Sequence, residues 1–237
     1  MLYDLFEHLY IQFPFQLLVS EAIFLIDVPK RKHFSPRLLA GLGLQLLLSA
    51  LWEAVLIPSV PQSLFRYVLL YLGYAVLTVI PIMCSVEIGI RELIFVLTGG
   101  YATEHMIFAL TRILLPLSPY EYPLNGSLAH LLLTRYVIYM IGAGGVYFLI
   151  IHTKGKENQL KDSDFRIIAL AFIVMVSAIG FSVYWSYPEQ YIGTLMGDVI
   201  CPAYSFLCCV LVLLMEYYVL HENAMKHERE MMEQLLR

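Results

Sequence analysis

The stretch TGGYATEHMIFALTR holds the side chains whose types and spacing would best support ligand binding or proton transfer. Tyr101, His105, Phe108 and Arg112 are spaced four, three and four residues apart, so a helix places them on one face. Glu104 stands beside that face. Together these residues offer a carboxylate acceptor, an imidazole, whose unperturbed pKa is near neutral, and a fixed cation. The pattern predicts the polar floor of a ligand pocket open to the outside, with a pH-sensing version that depends on His105.

The same five residues have a second interpretation, as a structural cluster that orients helices while Arg112 reaches the outer interface. Acid–base catalysis by Glu104, His105 and Arg112 is a third interpretation, but no second cluster offers a metal or a nucleophile. The cysteines lie in apolar stretches without CxxC or zinc-ligand spacing, at Cys84, Cys201, Cys208 and Cys209. We therefore expect neither a metal nor a cofactor, and nothing implies a nucleic-acid partner.

The composition indicates that these residues are held inside a membrane protein. Hydrophobic residues make up 59% of the 237 residues and charged residues 14%, with a mean hydropathy of +0.72. So few charges would not coat a water-facing surface. Because about 20 mostly apolar residues cross a bilayer, the sequence predicts an all-α integral membrane protein with about seven transmembrane helices. The predicted spans are 9–28, 38–57, 64–86, 93–115, 130–151, 166–185 and 195–220.

The first predicted span is the weakest, because it contains Gln12, Pro14, Gln16 and Glu21. A shallow or re-entrant element is therefore an alternative for this segment.

Near the middle of the chain, Gly99-Gly100 would let a neighbouring helix come close or let its own helix bend.

The distribution of basic residues predicts the orientation of the spans. Alternate connections carry 12 of the 15 lysines and arginines. These connections are KRKHFSPR (30–37), the junction at Arg91, HTKGKENQLKDSDFR (152–166) and the tail after the last span. Because basic residues stay on the cytoplasmic side, we expect the N-terminus outside and the C-terminus inside.

The last predicted span runs into a charged tail without a helix-breaking residue, since no glycine or proline occurs from 203 to 237. We therefore divide the chain into a transmembrane sensor domain, 1–220, and a second segment, 221–237, which is the start of a cytoplasmic signalling helix. Residues three and four apart form two stripes along this helix, which predicts a coiled-coil seam between two copies through 213–237. The stripes are Tyr218, His221, Met225, Met232, Leu235 and Leu220, Ala224, His227, Met231. An amphipathic tail on the inner leaflet is the alternative.

Candidate relay residues lie at both ends of this last helix. Pro202 would kink the helix near Asp198 and supply a hinge, with a static bend as the alternative. His221, Met225 and Met232 lie on the proposed seam and would carry a shift of the helix inward.

Three stretches resemble the membrane portion of GHKL-type sensor histidine kinases of Gram-positive bacteria. HENAMKHEREMMEQLLR (221–237) resembles the linker after the last span of that family. FQLLVSEAIFLIDVPKRKHFSPRLL (15–39) looks like its first span and basic turn. FVLTGGYATEHMIFAL (95–110) looks like its central span.

The resemblance implies the sensor half of a two-component kinase in a bacterial plasma membrane, acting as a homodimer. It would detect an extracellular or membrane-borne ligand, such as a peptide. The family's His-Asp-x-x-x-His phosphoacceptor, Asn-rich ATP box and Gly-rich lid are not in this sequence. We therefore expect no enzymatic activity from this chain, and a response regulator would be reached only through a kinase domain outside it. A small transporter or channel is the alternative, although the charged residues cluster near the span ends and no repeat is visible.

Overall fold

The computed structural model describes residues 9–26, 28–61, 64–114, 127–151, 162–186 and 194–236. All the regular elements in these ranges are helices, which confirms the predicted all-helical class. They are α1 (Leu9–Phe24), α2 (Phe34–Ser59), α3 (Leu64–Leu77), α4 (Val79–Ser85), α5 (Ile90–Leu114), α6 (Ser127–Ile151), α7 (Asp162–Ser186), a π-helical turn (Met196–Ile200) and α8 (Cys201–Leu235).

Four helical stretches are long and apolar enough to cross a bilayer. They are Phe34–Leu56, Val68–Ser85, Ile90–Ile113 and Cys201–Leu235. Three shorter apolar stretches lie at Phe13–Phe24, Val137–Leu149 and Arg166–Phe181. The chain is therefore a helical protein with candidate membrane spans, while seven crossings and their orientation stay predictions.

The chain divides into two compact units, Met1–Tyr101 and Ala102–Arg237. In the first unit, α2 packs along α3 and α4. This packing uses glycines at close approaches: Gly41 lies against the backbone of Pro81, and Gly73 lies under the indole of Trp52. Small residues let helices approach closely inside a membrane, where van der Waals packing must hold them together.

The predicted span 64–86 is interrupted, because α3 ends at Leu77 and α4 begins at Val79. Pro81 explains the interruption: it has no N–H to donate to the Leu77 carbonyl, and its ring crowds that oxygen. Thr78 fills the turn between the two helices, and its hydroxyl oxygen lies 2.8 Å from the Ala75 carbonyl oxygen. A polar side chain is thereby placed in the interior of the unit.

At one end of the first unit, the connection from α1 to α2 pairs with the connection from α4 to α5. Lys30 and Val86 form an isolated antiparallel β-bridge. The Arg31 amide donates to the Ser85 carbonyl at 2.9 Å, and the Glu87 amide donates to the Pro29 carbonyl at 2.8 Å. The α1–α2 and α4–α5 connections therefore lie at the same end of the first unit. The predicted alternation of basic connections requires this placement.

In the second unit, α7 and α8 pack as an antiparallel pair. The contacting face of α7 is small and apolar, formed by Ile168, Ala171, Met175 and Ala178. The buried face of α8 is more polar, formed by Cys201, Ser205, Cys209, Val212, Glu216, Val219 and Asn223. The register of the pair is marked near its two ends, where Cys201 contacts the Phe181 carbonyl oxygen at 3.6 Å and Asn223 contacts Asp164 at 2.8 Å.

The helix α8 continues without interruption for 35 residues, which confirms the predicted continuity past Leu220. At about 1.5 Å per residue it is about 50 Å long, against about 30 Å of bilayer hydrocarbon. A helix of this length must extend well beyond the membrane at one end or both.

Candidate functional site

All five residues of the candidate ligand site lie on α5, as their spacing predicted. The boundary between the two units falls directly after Tyr101. Tyr101 therefore belongs to the first unit, whereas Glu104, His105, Phe108 and Arg112 belong to the second.

Tyr101 is part of an aromatic cluster in the first unit. Its ring lies 5.9 Å from the ring of Phe13 in an edge-to-face arrangement. Phe13 also contacts Tyr71 at 5.0 Å and Tyr74 at 6.2 Å between ring centroids. Edge-to-face pairs of this kind stabilise a packed interior, so the side chain of Tyr101 packs α5 against α1, and Phe13 joins α1 to α3.

Next to this cluster lies a buried carboxyl group, that of Glu21 on α1. The hydroxyl of Thr78 donates to Glu21 Oε1 at 2.7 Å, while Glu21 Oε2 has no hydrogen-bond partner among the described residues. Gly100 of α5 faces the backbone of Glu21, as the Gly99-Gly100 pair predicted: a Cβ at position 100 would lie 2.9 Å from Glu21 Cα. The side chain of Glu21 is fully buried.

A second buried carboxyl group, that of Glu104, lies on α5 in the second unit. Glu104 Oε2 is buried without a hydrogen-bond partner among the described residues. Glu104 is also close enough to Cys209 of α8 to interact with it electrostatically. A buried polar group without a partner costs free energy, so its presence here needs a reason beyond stability.

The next residues on α5 form a polar and aromatic group around Glu104. His105 is buried and stacks on Phe108, with 5.8 Å between ring centroids and 21° between ring planes. Arg112 is half-buried in the last turn of α5. The second unit therefore holds four of the five predicted residues on a single helix, with the carboxyl and imidazole groups inside and the guanidinium near the helix end.

The structure adds a polar residue that the sequence analysis missed, Glu216 of α8. Its side chain is fully buried, and neither carboxyl oxygen has a hydrogen-bond partner among the described residues. The buried hydroxyl of Ser205, on the same face of α8, also has none. Glu216 stands seven residues after Cys209 and seven before Asn223, and that spacing is the signal that would have placed all three on one face.

The contact between Asp164 and Asn223 was also missed. Asn223 Nδ2 donates to Asp164 Oδ2 at 2.8 Å, and both side chains are buried. This hydrogen bond joins the first turn of α7 to α8, just before the part of α8 whose side chains are exposed. We call this contact the α7–α8 lock.

Breaking the lock is expected to destabilise the second unit. Asn223→Ala should lower the free energy of unfolding by about 1–2 kcal/mol, because a hydrogen bond between two buried side chains is lost. Reversible unfolding in mixed micelles measures this loss, and a double-mutant cycle with Asp164→Ala should give a coupling of about 1 kcal/mol. Ser177→Ala, which removes an exposed hydroxyl bonded within its own helix, is the control and should be nearly neutral. Additive effects of the two lock substitutions would contradict the interaction.

The predicted relay residues lie in two places. Pro202 is buried in the first turn of α8, and Asp198, of which only the backbone is described, lies in the π-helical turn directly before it. Pro202 explains this wide turn, because its ring would crowd the carbonyl of the residue four positions earlier, which is Asp198. The irregularity therefore precedes α8 and does not bend its interior.

The other three relay residues lie on the far part of α8. His221 stacks on Tyr217 with 5.8 Å between ring centroids, and its side chain is exposed. Met225 and Met232 are 41% and 60% exposed, so the described residues leave the stripe that contains them uncovered. On the same part of the helix, Lys226 pairs with Glu222. This hydrogen bond lowers the pKa of the Glu222 carboxyl and raises that of Lys226.

Comparisons with protein-family models, with curated proteins and with solved structures find no match to this chain. The fold and the site themselves define a helical protein with candidate membrane spans, buried carboxyl groups and the long helix α8, of which one end is packed and the other is exposed.

Proposed function

We propose that this chain is the membrane input domain of a two-component sensor histidine kinase of the GHKL type, in the plasma membrane of a bacterium. The observation that carries the proposal is α8, one unbroken helix of 35 residues. Its first two thirds pack on α7, while the side chains from 228 to 236 are exposed. A helix built in this way transmits a shift or a rotation from its packed part to its exposed part.

The α7–α8 lock supports the relay, because it fixes the register of α8 close to the point where the helix becomes exposed. Asp164 lies in the basic connection 152–166, which is predicted to be cytoplasmic, so the exposed part of α8 would emerge on the same side. A change in the packing of α8 against α7 would then be felt directly by the exposed stripe. In this proposal two chains pair through 213–237, and the stripe that includes Met225 and Met232 forms their seam.

The ligand would bind around Glu104, His105, Phe108 and Arg112, in the outer half of the second unit. Buried ionisable groups inside a membrane domain are expensive and mark ligand or ion sites. A ligand that interacts differently with two packings of α8 shifts the balance between them by its difference in affinity. A small extracellular or membrane-borne molecule, such as a peptide with polar groups, fits this set of a carboxyl, an imidazole and a guanidinium.

The proposal is tested by changing the rotation of α8 relative to a kinase domain fused after it. The full chain is fused after Arg237 to the catalytic region of a reporter histidine kinase, with one to seven alanines inserted at the junction. Because each residue turns a helix by about 100°, kinase activity is expected to rise and fall with a period of about 3.6 residues. Kinase activity that declines steadily with insert length, or ignores it, would contradict a rigid helical relay.

A small transporter or channel is a second candidate, favoured by the buried Glu104, Ser205 and Glu216 of the second unit. Polar groups of this kind line ion and proton pathways. Proton flux in vesicles that contain the full chain would favour this candidate over a sensor.

A further inference from the structure

One end of the first unit carries a dense group of basic side chains that the proposed function does not use. The connection between α1 and α2 contributes Lys30, Arg31 and Lys32. The first turn of α2 contributes Arg37, and the start of α5 contributes Arg91. We call these five residues the basic platform. The sequence alone separates Arg91 from the others by more than 50 positions, and the β-bridge between Lys30 and Val86 brings the two segments together.

Backbone hydrogen bonds and two side-chain contacts fix the geometry of the platform. Besides the two backbone hydrogen bonds of the bridge, Arg31 Nε donates to the Val86 carbonyl at 2.8 Å. The Lys30 ammonium lies 5.2 Å from the centre of the Phe34 ring, where a cation–π interaction holds it. His33 takes a left-handed backbone conformation, with φ of 59°, and turns the chain into α2. A positive surface with fixed geometry is the result.

The positive charge of the platform is only partly compensated. Three carboxylates lie in the same segments, Asp27, Glu87 and Glu92, against five cations, which leaves a net charge of +2. Lys32 and Arg37 are exposed, and their side chains have neither a hydrogen bond nor an ion pair among the described residues. Both are therefore available to an anion.

Exposed apolar side chains lie in the elements that flank the platform. Ile26 lies in the turn after α1, Leu39 lies in the first turns of α2, Met83 lies in α4 and Ile90 begins α5. Between 46% and 69% of each side chain is exposed. Apolar side chains beside a cluster of cations form the surface that a phospholipid requires, with acyl chains on the former and a phosphate on the latter.

We propose that the basic platform is a binding site for the phosphate of an anionic glycerophospholipid in the inner leaflet, with Lys32 and Arg37 as its main ligands. The partner is argued from charge complementarity and from the predicted position of this connection at the cytoplasmic surface. A bound lipid would hold the α1–α2 connection and the start of α2 at the membrane surface and so stabilise the first unit in anionic membranes. The site does not depend on the sensor function.

The test measures binding of phosphatidylglycerol and of phosphatidylcholine to the full chain in detergent micelles, by lipid titration and native mass spectrometry. The wild-type protein is expected to retain phosphatidylglycerol preferentially. Lys32→Gln with Arg37→Gln should weaken that binding by about tenfold. The matched control is Lys226→Gln with Arg229→Gln, which removes the same charge from the predicted cytoplasmic tail and should leave binding unchanged.

Equal loss of binding in the control pair would show that net charge alone attracts the lipid and would overturn the proposal. Unchanged binding in the platform variant would overturn it as well. Lys32→Arg with Arg37→Lys keeps the charges and should keep the preference for phosphatidylglycerol. Loss of the preference in this variant would also count against the site.

Discussion

Gly100→Ala is expected to destabilise the first unit by about 1–3 kcal/mol, the usual cost of inserting atoms into a packed interior. The added Cβ would lie 2.9 Å from Cα and 3.0 Å from the backbone nitrogen of Glu21. These are backbone atoms of α1, which do not move aside as the end of a flexible side chain does. Since α1 at this position also carries the carboxyl group that accepts from Thr78, any displacement would strain that hydrogen bond as well.

Reversible unfolding in mixed micelles measures this effect, with Gly144→Ala as the matched control. Gly144 is also a glycine inside an apolar helix, α6, but a Cβ there meets no atom within 4 Å. The control substitution should be neutral or stabilise the protein by up to about 1 kcal/mol, because alanine favours the helix more than glycine does. Equal stability of the two variants would show that α1 and α5 do not approach closely at Gly100.

The helices of this protein were predictable because their signal is local. An apolar run in a bilayer must satisfy its own backbone hydrogen bonds, and a helix does so within one segment. The predicted 38–57 and 93–115 correspond to Phe34–Ser59 and Ile90–Leu114, with differences of a few residues at the ends. The absence of glycine and proline from 203 to 237 likewise predicted the continuous α8.

The interruption between α3 and α4 shows where local reasoning reached its limit. Proline is tolerated inside membrane helices because neighbouring groups satisfy the freed carbonyl. Pro81 was therefore compatible with one continuous span, 64–86. In the structure the helix breaks at Thr78, three residues earlier, and the break turns the Thr78 hydroxyl toward Glu21.

The polar contacts of the interior were not predictable, because they join residues far apart in the sequence. Thr78 and Glu21 are separated by 57 residues, and Asn223 and Asp164 by 59. Spacing along one helix identifies which side chains share a face, as it did for His105 and Phe108. It does not identify the helix that this face meets, which depends on packing among all the elements.

The second large effect is expected at Glu216. Glu216→Leu should raise the free energy of unfolding by about 1–3 kcal/mol, because it removes a fully buried carboxyl group without a hydrogen-bond partner among the described residues. Leucine has a similar volume and suits a face of α8 that packs on the apolar face of α7. Unfolding in mixed micelles measures the gain. Glu228→Leu, an exposed glutamate on the same helix, is the control and should change stability by less than about 0.5 kcal/mol.

The same substitution is expected to abolish the change in kinase activity that ligand binding produces in the kinase fusion. The kinase activity without ligand should stay measurable. A residue that costs stability is retained where function requires it, and Glu216 lies on the face of α8 that must change its packing for a signal to pass. A stabilised and unresponsive variant would place Glu216 in the relay. If stability falls instead, the carboxyl group is held by a partner such as a buried water, and its role is to hold α8 in place. If stability rises and the response is intact, Glu216 has no part in the relay, and the packing of α8 on α7 carries the signal without it.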